Sequence, residues 1–252
     1  MQTAKMAAMT QAQVQATPDG AIVFDADAVA QAAFDPEWFE PGYWRARAAA
    51  ESTAGGRGGA VFVAAPFGNC ALRHYRRGGM VARVLGDHYL WRGAENTRSF
   101  AEFRLLAALR DKALPVPQPV AARYRRRGTT YRADILTRRI ENASTLAELL
   151  AKDRFDAIIA ARVGTTIANF HAQGAYHADL NAHNVMLSDV NVWLIDFDRG
   201  ELRAPARAWQ QANLARLQRS LIKLGAARDG GGDFESRLWK PLMAAWEKGM
   251  AS

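Results

Sequence analysis

The chain carries one cysteine, Cys70, so an intramolecular disulfide is excluded and a reducing compartment is expected. Lysine is scarce: six lysines stand against 27 arginines, and none lies between Lys5 and Lys112. No apolar run approaches the roughly 18–20 residues that a bilayer-spanning helix needs. The opening segment has one lysine and no apolar core, so no export signal is expected there. The glycine cluster at residues 55–59 is not followed by Gly-Lys-Ser/Thr, which excludes a Walker A phosphate loop. There is no internal repeat.

What is present suits a globular enzyme. Over 252 residues, 49% are apolar and 23% charged, enough for one large domain or two lobes sharing a cleft. The net charge of +8 and pI near 10.0 favour anionic partners: nucleic acid, phosphates or a membrane surface. Arginine-rich usage also follows from a GC-rich coding sequence, and the two origins stay open. No nucleic-acid-binding motif accompanies the charge, so no nucleic acid is expected as a partner.

Along the chain, residues 1 to about 20 are Ala/Gln-rich and patternless, and read as a mobile tail. Ala21–Phe24 makes a short strand, and the aromatics from Phe34 to Trp44 are expected to clamp onto the first lobe. Gly55-Gly56-Arg57-Gly58-Gly59 leads into strands at Ala60–Ala64 and Asn69–Tyr75, joined by a turn at Pro66–Asn69. A glycine loop of this kind brings backbone N–H groups against phosphates, although such loops are more often only loops. A helix follows from Thr97 to Leu109 and carries Glu102. The Pro115/Pro117/Pro119 loop ends it, and strands at Val120–Tyr124 and Tyr131–Ile140 flank an exposed arginine tip. That gives five strands ahead of a mostly helical half. There, Ser144 or Thr145 caps a helix, and Phe155, Ile158, Ile159, Val163, Ile167 and Phe170 stripe a helix over Arg154–Ala172, stopped at Gly174. Trp209, Leu214, Leu217, Leu221 and Leu224 mark another helix, and Phe234–Lys248 the last. Trp239 and Trp246 on that last helix have a lipid interface as an alternative to the core.

The chemistry concentrates in His177-Ala178-Asp179-Leu180-Asn181-Ala182-His183-Asn184 and, after two short apolar strands, Leu194-Ile195-Asp196-Phe197-Asp198. This order resembles the catalytic loop and metal-binding aspartate of protein-kinase-like phosphotransferases. The resemblance implies an α+β, bilobal fold: an N-lobe with an antiparallel sheet and one helix over 21–140, and a mostly helical C-lobe over 141–252. Asp179 then orients the attacking hydroxyl, while Asn184 and Asp196 hold Mg²⁺ with ATP as phosphoryl donor. Arg73 stands where these enzymes carry a phosphate-gripping lysine, with Glu102 as its partner. Gly56, Gly58 and the backbone around Arg139–Glu141, Glu141 included, cover nucleotide. His177 is expected to pack under its loop, and His171 to be simply buried. His183 and Asn181 have substrate contact or loop support as equal readings.

A narrower resemblance lies in Leu72-Arg73-His74-Tyr75-Arg76-Arg77-Gly78-Gly79, Leu114-Pro115-Val116-Pro117, Tyr131-Arg132-Ala133-Asp134 and Ile140-Glu141-Asn142-Ala143. These segments are similar to the 3-deoxy-D-manno-octulosonic acid (Kdo) kinase family. That family implies transfer of phosphate from ATP to O4 of Kdo on a lipid A precursor, at the cytoplasmic face of an inner membrane. Arg76, Arg77, Arg92, Arg98 and His183 are the candidates for touching this anionic glycolipid, and an anionic membrane surface would reward the same basic segment. A merely solvated face is the alternative for those arginines. Ala178 replaces the arginine that receives an activation-loop phosphate in protein kinases, and no Ala-Pro-Glu follows Asp198, so a protein substrate is not expected. Three competitors stand beside this reading. An aminoglycoside-type phosphotransferase fits the motif but should carry an acidic lip, against a charge of +8. A non-catalytic nucleotide-binding scaffold is opposed by the intact base and metal positions, and a nucleic-acid binder rests on charge alone.

Overall fold

The computed structural model describes residues 10–29, 35–47, 49–52, 59–76, 86–228 and 232–251. The chain divides into two compact units, Met1–Asp111 with Pro117–Arg139, and Lys112–Val116 with Ile140–Ser252. The short Lys112–Val116 stretch joins the second unit because the Leu194 N–H donates to the Pro115 carbonyl at 3.1 Å.

Unit 1 is an antiparallel sheet with one long helix. Its strands are β1 (Ala12–Thr17), β2 (Gly20–Asp25), β3 (Ala50–Ser52), β4 (Val61–Ala65), β5 (Gly68–His74), β6 (Tyr89–Leu90), β7 (Pro119–Arg127) and β8 (Thr130–Arg138). They run in the order β1-β2-β7-β8-β5-β4-β3, with β6 also on β8. Among the described residues eight strands replace the five expected, and β1 corrects the tail reading over residues 12–17. Thr17 pairs with Gly20 across Pro18-Asp19, a tight turn, and Val14 lies opposite Val23. β1 is an exposed edge held by backbone pairing, so it shows no apolar stripe to betray it. The expected aromatic clamp forms: Trp38, Phe39 and Trp44 are buried with Ile22, Cys70 and Leu136. Burial also pushes the Cys70 thiol up to about 12, which leaves it inert at neutral pH.

Ahead of the long helix, the described residues include α1 (Ala26–Val29), a 3-10 turn at Pro36–Phe39 and α2 (Pro41–Ala46). The long helix, α3 (Arg98–Asp111), buries Phe100, Phe103, Leu106 and Leu109 at i, i+3 spacing along one face. Ser99 ties its first turn to β7 by donating its hydroxyl to the Arg123 carbonyl at 2.9 Å.

Unit 2 is mostly helical. Thr145 caps α4 (Leu146–Ala151) in a reciprocal capping box with Glu148. Asp156 caps α5 (Ala157–Ala172), three residues later than the periodicity suggests. That start corrects the stripe: Ile158 is 73% exposed. The residues α5 buries are Ala160, Val163, Gly164, Ile167, Ala168, Phe170 and His171, and Ile158 is out of phase with them. Short strands follow: β10 (Ala175–Tyr176) pairs with β13 (Glu201–Leu202), and β11 (Val185–Leu187) lies between β9 (Ser144–Thr145) and β12 (Val192–Leu194). α6 (Arg207–Lys223) comes next, and Gly232–Phe234 and Glu235–Trp239 lead into α7 (Lys240–Met250). Trp239 and Trp246 are buried, at 8% and 1% exposure, so they serve the core and not a lipid interface. Trp246 donates its indole N–H to His171 Nδ1 at 3.0 Å, and burial lowers the His171 pKa to about 4, keeping that acceptor neutral.

α5 and α7 meet backbone to backbone at Gly164, where a Cβ would lie 2.1 Å from the Leu242 carbonyl oxygen. Because the obstacle is a helix backbone, the two helices must separate to admit a methyl group. Gly164→Ala is therefore expected to destabilise the protein by about 1–3 kcal/mol, the usual range for overpacking a core. Urea unfolding measures this, and an unchanged midpoint would show that the helices part freely.

Candidate active site

The loop between β10 and β11 is built from the inside outward. Leu180 and Ala182 are fully buried and anchor it, and the Ala182 carbonyl accepts the Ala147 N–H of α4 at 3.0 Å. His177, 1% exposed, organises what lies above. Its Nε2–H donates to the Ile195 carbonyl at 2.9 Å, while its Nδ1 accepts the Asp179 backbone N–H at 3.1 Å. This pairing requires the neutral ring protonated on Nε2. Burial favours that form by holding the His177 pKa below the usual imidazole range. The same ring lies against Phe197, with centroids 4.6 Å apart. One buried imidazole thus ties the loop bearing Asp179 to the segment bearing Asp196.

Asn184 completes the tie. Its Nδ2 donates to the Asp179 carbonyl at 2.9 Å, and its own carbonyl accepts the Ile195 N–H at 3.0 Å. With the amide nitrogen committed, Oδ1 is the atom it offers to a cation. Asp196 has φ +61, a left-handed conformation that costs an L-residue free energy and is concentrated at functional sites. An amide oxygen and a carboxylate are hard donors, so these residues fit Mg²⁺. Among the described residues no three His, Cys, Asp or Glu side chains gather as a metal cage. Mg²⁺ needs none, since one or two protein ligands plus substrate phosphates commonly hold it.

The Asp179 carboxylate, 46% exposed, accepts from Arg216 Nε at 2.6 Å. Arg216 belongs to α6, and one face of that helix reads the whole loop. Asn213 accepts the His177 N–H at 3.3 Å and donates to its carbonyl at 2.9 Å, while Ser220 Oγ accepts the Ala182 N–H at 3.1 Å. Asn213, Arg216 and Ser220 were missed by the sequence reading, which saw only the apolar stripe of α6. Their i, i+3, i+7 spacing was the available signal. Asn181 supports the loop at both ends: Nδ2 donates to the Asp179 carbonyl at 3.2 Å and Oδ1 accepts the His183 N–H at 2.8 Å. His183 itself is exposed. Only residues 199–206 separate Asp198 from α6, too few for a kinase activation segment.

Unit 1 holds a second cluster. Arg73 Nη2 donates to both Glu102 oxygens, at 2.6 and 2.5 Å, and Glu102 is 3% exposed. Tyr75, also unforeseen, donates its hydroxyl to Glu102 Oε2 at 2.5 Å, and the Arg73 and Arg98 guanidiniums lie 4.6 and 5.9 Å from its ring centroid. Beside it, His74 meets Asp134 through Nδ1 at 2.7 Å and Asp87 through Nε2 at 2.8 Å. Two carboxylates on two ring nitrogens favour the imidazolium, and the hydrogen bond to Asp134 is the main cause of its raised pKa.

The other sequence-derived candidates are placed as follows. Arg76 and Arg92 are exposed, and Glu141 stands in an exposed turn of unit 2. Gly56, Gly58 and Arg77 lie outside the described residues. Within unit 2, Asn184 bonds the Asp179 carbonyl and the backbone of Ile195, the residue before Asp196; within unit 1, Arg73, Glu102 and Arg98 share Tyr75.

Comparison with known proteins gives a consistent result. The family described as "Lipopolysaccharide kinase (Kdo/WaaP) family" matches residues 42–245. A 3-deoxy-D-manno-octulosonic acid kinase of Stenotrophomonas maltophilia is 50% identical over 240 residues, covering 91% of this chain and 92% of its own. One from Xanthomonas campestris pv. campestris is 50% identical over 242 residues, with the same coverage. A solved structure of WaaP in complex with acyl carrier protein superposes with a TM-score of 0.52 at 13% identity, covering 85% of this chain and 87% of that one. At that identity the likeness is one of fold, and the fold is the protein-kinase-like α+β one. With the family matched from residue 42 to residue 245 and half of all residues shared with these kinases, the chain belongs to the lipopolysaccharide kinase (Kdo/WaaP) family.

Proposed function

We propose that this protein is an ATP-dependent Kdo kinase that phosphorylates the 4-hydroxyl of Kdo on a lipid A precursor during lipopolysaccharide inner-core assembly. The observation that supports this chemistry is the bond network His177–Asp179–Asn184–Ile195, which ties the loop bearing the half-exposed Asp179 to the segment that leads into Asp196. The acceptor follows from half-identity with Kdo kinases over nearly the whole chain.

In this reading Asp179 orients the acceptor hydroxyl and takes its proton. The new bond forms between that oxygen and the γ-phosphorus, while the bond to the bridging oxygen of ADP breaks. Asn184 and Asp196 would hold Mg²⁺, which when bound shields the phosphate oxygens. Arg73, oriented by Glu102 and Tyr75, supplies a fixed cation for phosphate, and Gly56, Gly58 and Glu141 are proposed to border the nucleotide. Arginine is broader than lysine and donates through a fork, so a geometry unlike the protein-kinase lysine is expected. Arg76, Arg77, Arg92, Arg98 and His183 remain the proposed acceptor contacts. No helix among the described residues is long and apolar enough to cross a membrane. We therefore assign peripheral binding at an anionic, cytoplasm-facing membrane surface, supported by the net charge of +8.

Mass spectrometry after incubation with ATP, Mg²⁺ and either a Kdo-bearing lipid A precursor or an aminoglycoside tests the assignment. One added phosphate on Kdo and an unmodified aminoglycoside is the expected result. The reverse pattern would replace the glycolipid reading with the aminoglycoside one.

A further inference from the structure

Arg216 has a role that holding Asp179 does not exhaust. It approaches Asp179 Oδ1 through Nε alone, and among the described residues neither terminal nitrogen has a protein partner. Its side chain is 48% exposed, so the free end of the fork is open to a ligand. It is also firmly placed. Asn213, three residues earlier, is bonded both ways to the His177 backbone, and Ser220, four residues later, takes the Ala182 N–H. Leu217 beside it is fully buried. A long side chain rooted between such clamps presents a cation at a fixed position next to the proposed base.

Asp179 Oδ2 has no protein partner among the described residues, so it can take the hydroxyl while Oδ1 stays on Arg216. Whatever ring brings that hydroxyl must come alongside the two unused guanidinium nitrogens. A planar fork with two parallel N–H groups matches a carboxylate.

Resting on the Kdo-kinase reading, we infer that Arg216 binds the carboxylate of the acceptor sugar and so selects an acidic sugar for presentation to Asp179. In Kdo the carboxylate is borne on C2 and the reacting hydroxyl on C4 of the same ring, so an anion accompanies the nucleophile into place. Arg216 is then both a specificity residue through its terminal nitrogens and a positioning residue through Nε.

The test pairs an enzyme variant with an acceptor variant. Wild-type protein should favour the Kdo glycolipid over the same glycolipid bearing a Kdo carboxamide by about 10- to 100-fold in kcat/KM, the range for one hydrogen bond to a charged group. Arg216→Gln should lose that preference and raise KM for the acid acceptor, with KM for ATP unchanged. Arg216→Lys, which keeps charge without the fork, should restore part of it. Acid-over-amide preference that survives in Arg216→Gln, or a KM change confined to ATP, overturns the inference and moves Arg216 to the transferring phosphoryl group. Should the glutamine variant not fold, equal use of acid and amide by wild-type protein overturns it alone. Turnover of neither acceptor by wild-type protein would instead overturn the Kdo-kinase reading.

Discussion

Asp179→Ala should reduce turnover by about 10²–10⁴-fold, the usual contribution of a positioned general base, while leaving nucleotide affinity nearly unchanged. The split follows from where the residue stands. Its carboxylate is half-exposed on a loop whose shape depends on its backbone, not its side chain: the backbone N–H goes to His177 and the carbonyl to Asn184. Truncation therefore leaves the loop and the Asn184 amide oriented. The lost ion pair with Arg216 costs little stability, because such exposed pairs contribute about 0–1 kcal/mol. Purified variant, defined glycolipid and a calorimetric ATP titration separate the two effects. Full turnover by the variant would remove Asp179 from the chemistry and require another base.

Asp196→Ala should act on the other side of the ledger, weakening nucleotide binding in the presence of Mg²⁺ by about 10-fold or more. Even an outer-shell partner of a metal typically contributes 10–100-fold in metal affinity, and Asp196 is proposed as a direct ligand. The signature is that nucleotide affinity measured in EDTA stays the same in wild type and variant, while the Mg²⁺-dependent gain disappears only in the variant. Alanine at φ +61 also carries backbone strain that aspartate tolerates better, so Asp196→Asn serves as the companion that keeps shape and removes charge. Retention of the full Mg²⁺-dependent gain by both variants would assign the metal to other groups.

Much of the candidate site's local framework was legible because short-range patterns carried it. His177, Asp179, Asn184 and Asp196 fall within twenty residues, and the intervening strands, Val185–Leu187 and Val192–Leu194, are apolar runs bracketed by a polar turn. Thr145 with Glu148, and Gly174 at φ +77, announce helix ends by local chemistry. The Arg73–Glu102 pair crosses 29 residues, yet its helix and strand each show their own periodicity. What escaped was structure without a local signature. β1 is an exposed edge strand whose existence depends on backbone pairing with β2, and no side-chain pattern records that.

By itself, the sequence determined that two carboxylates and an amide lie along one loop-strand-strand unit, that an arginine stands where lysine is usual in protein kinases, and that no activation segment follows. It also set the family. Only tertiary structure decided that Tyr75 joins Glu102, that Ile158 faces solvent while Trp239 and Trp246 do not, and that α6 turns Asn213, Arg216 and Ser220 onto the loop bearing Asp179. The physical reason is separation along the chain. Arg216 lies 37 residues from Asp179, and a polar residue on an amphipathic helix looks the same whether it faces water or a carboxylate until packing rotates the helix into place.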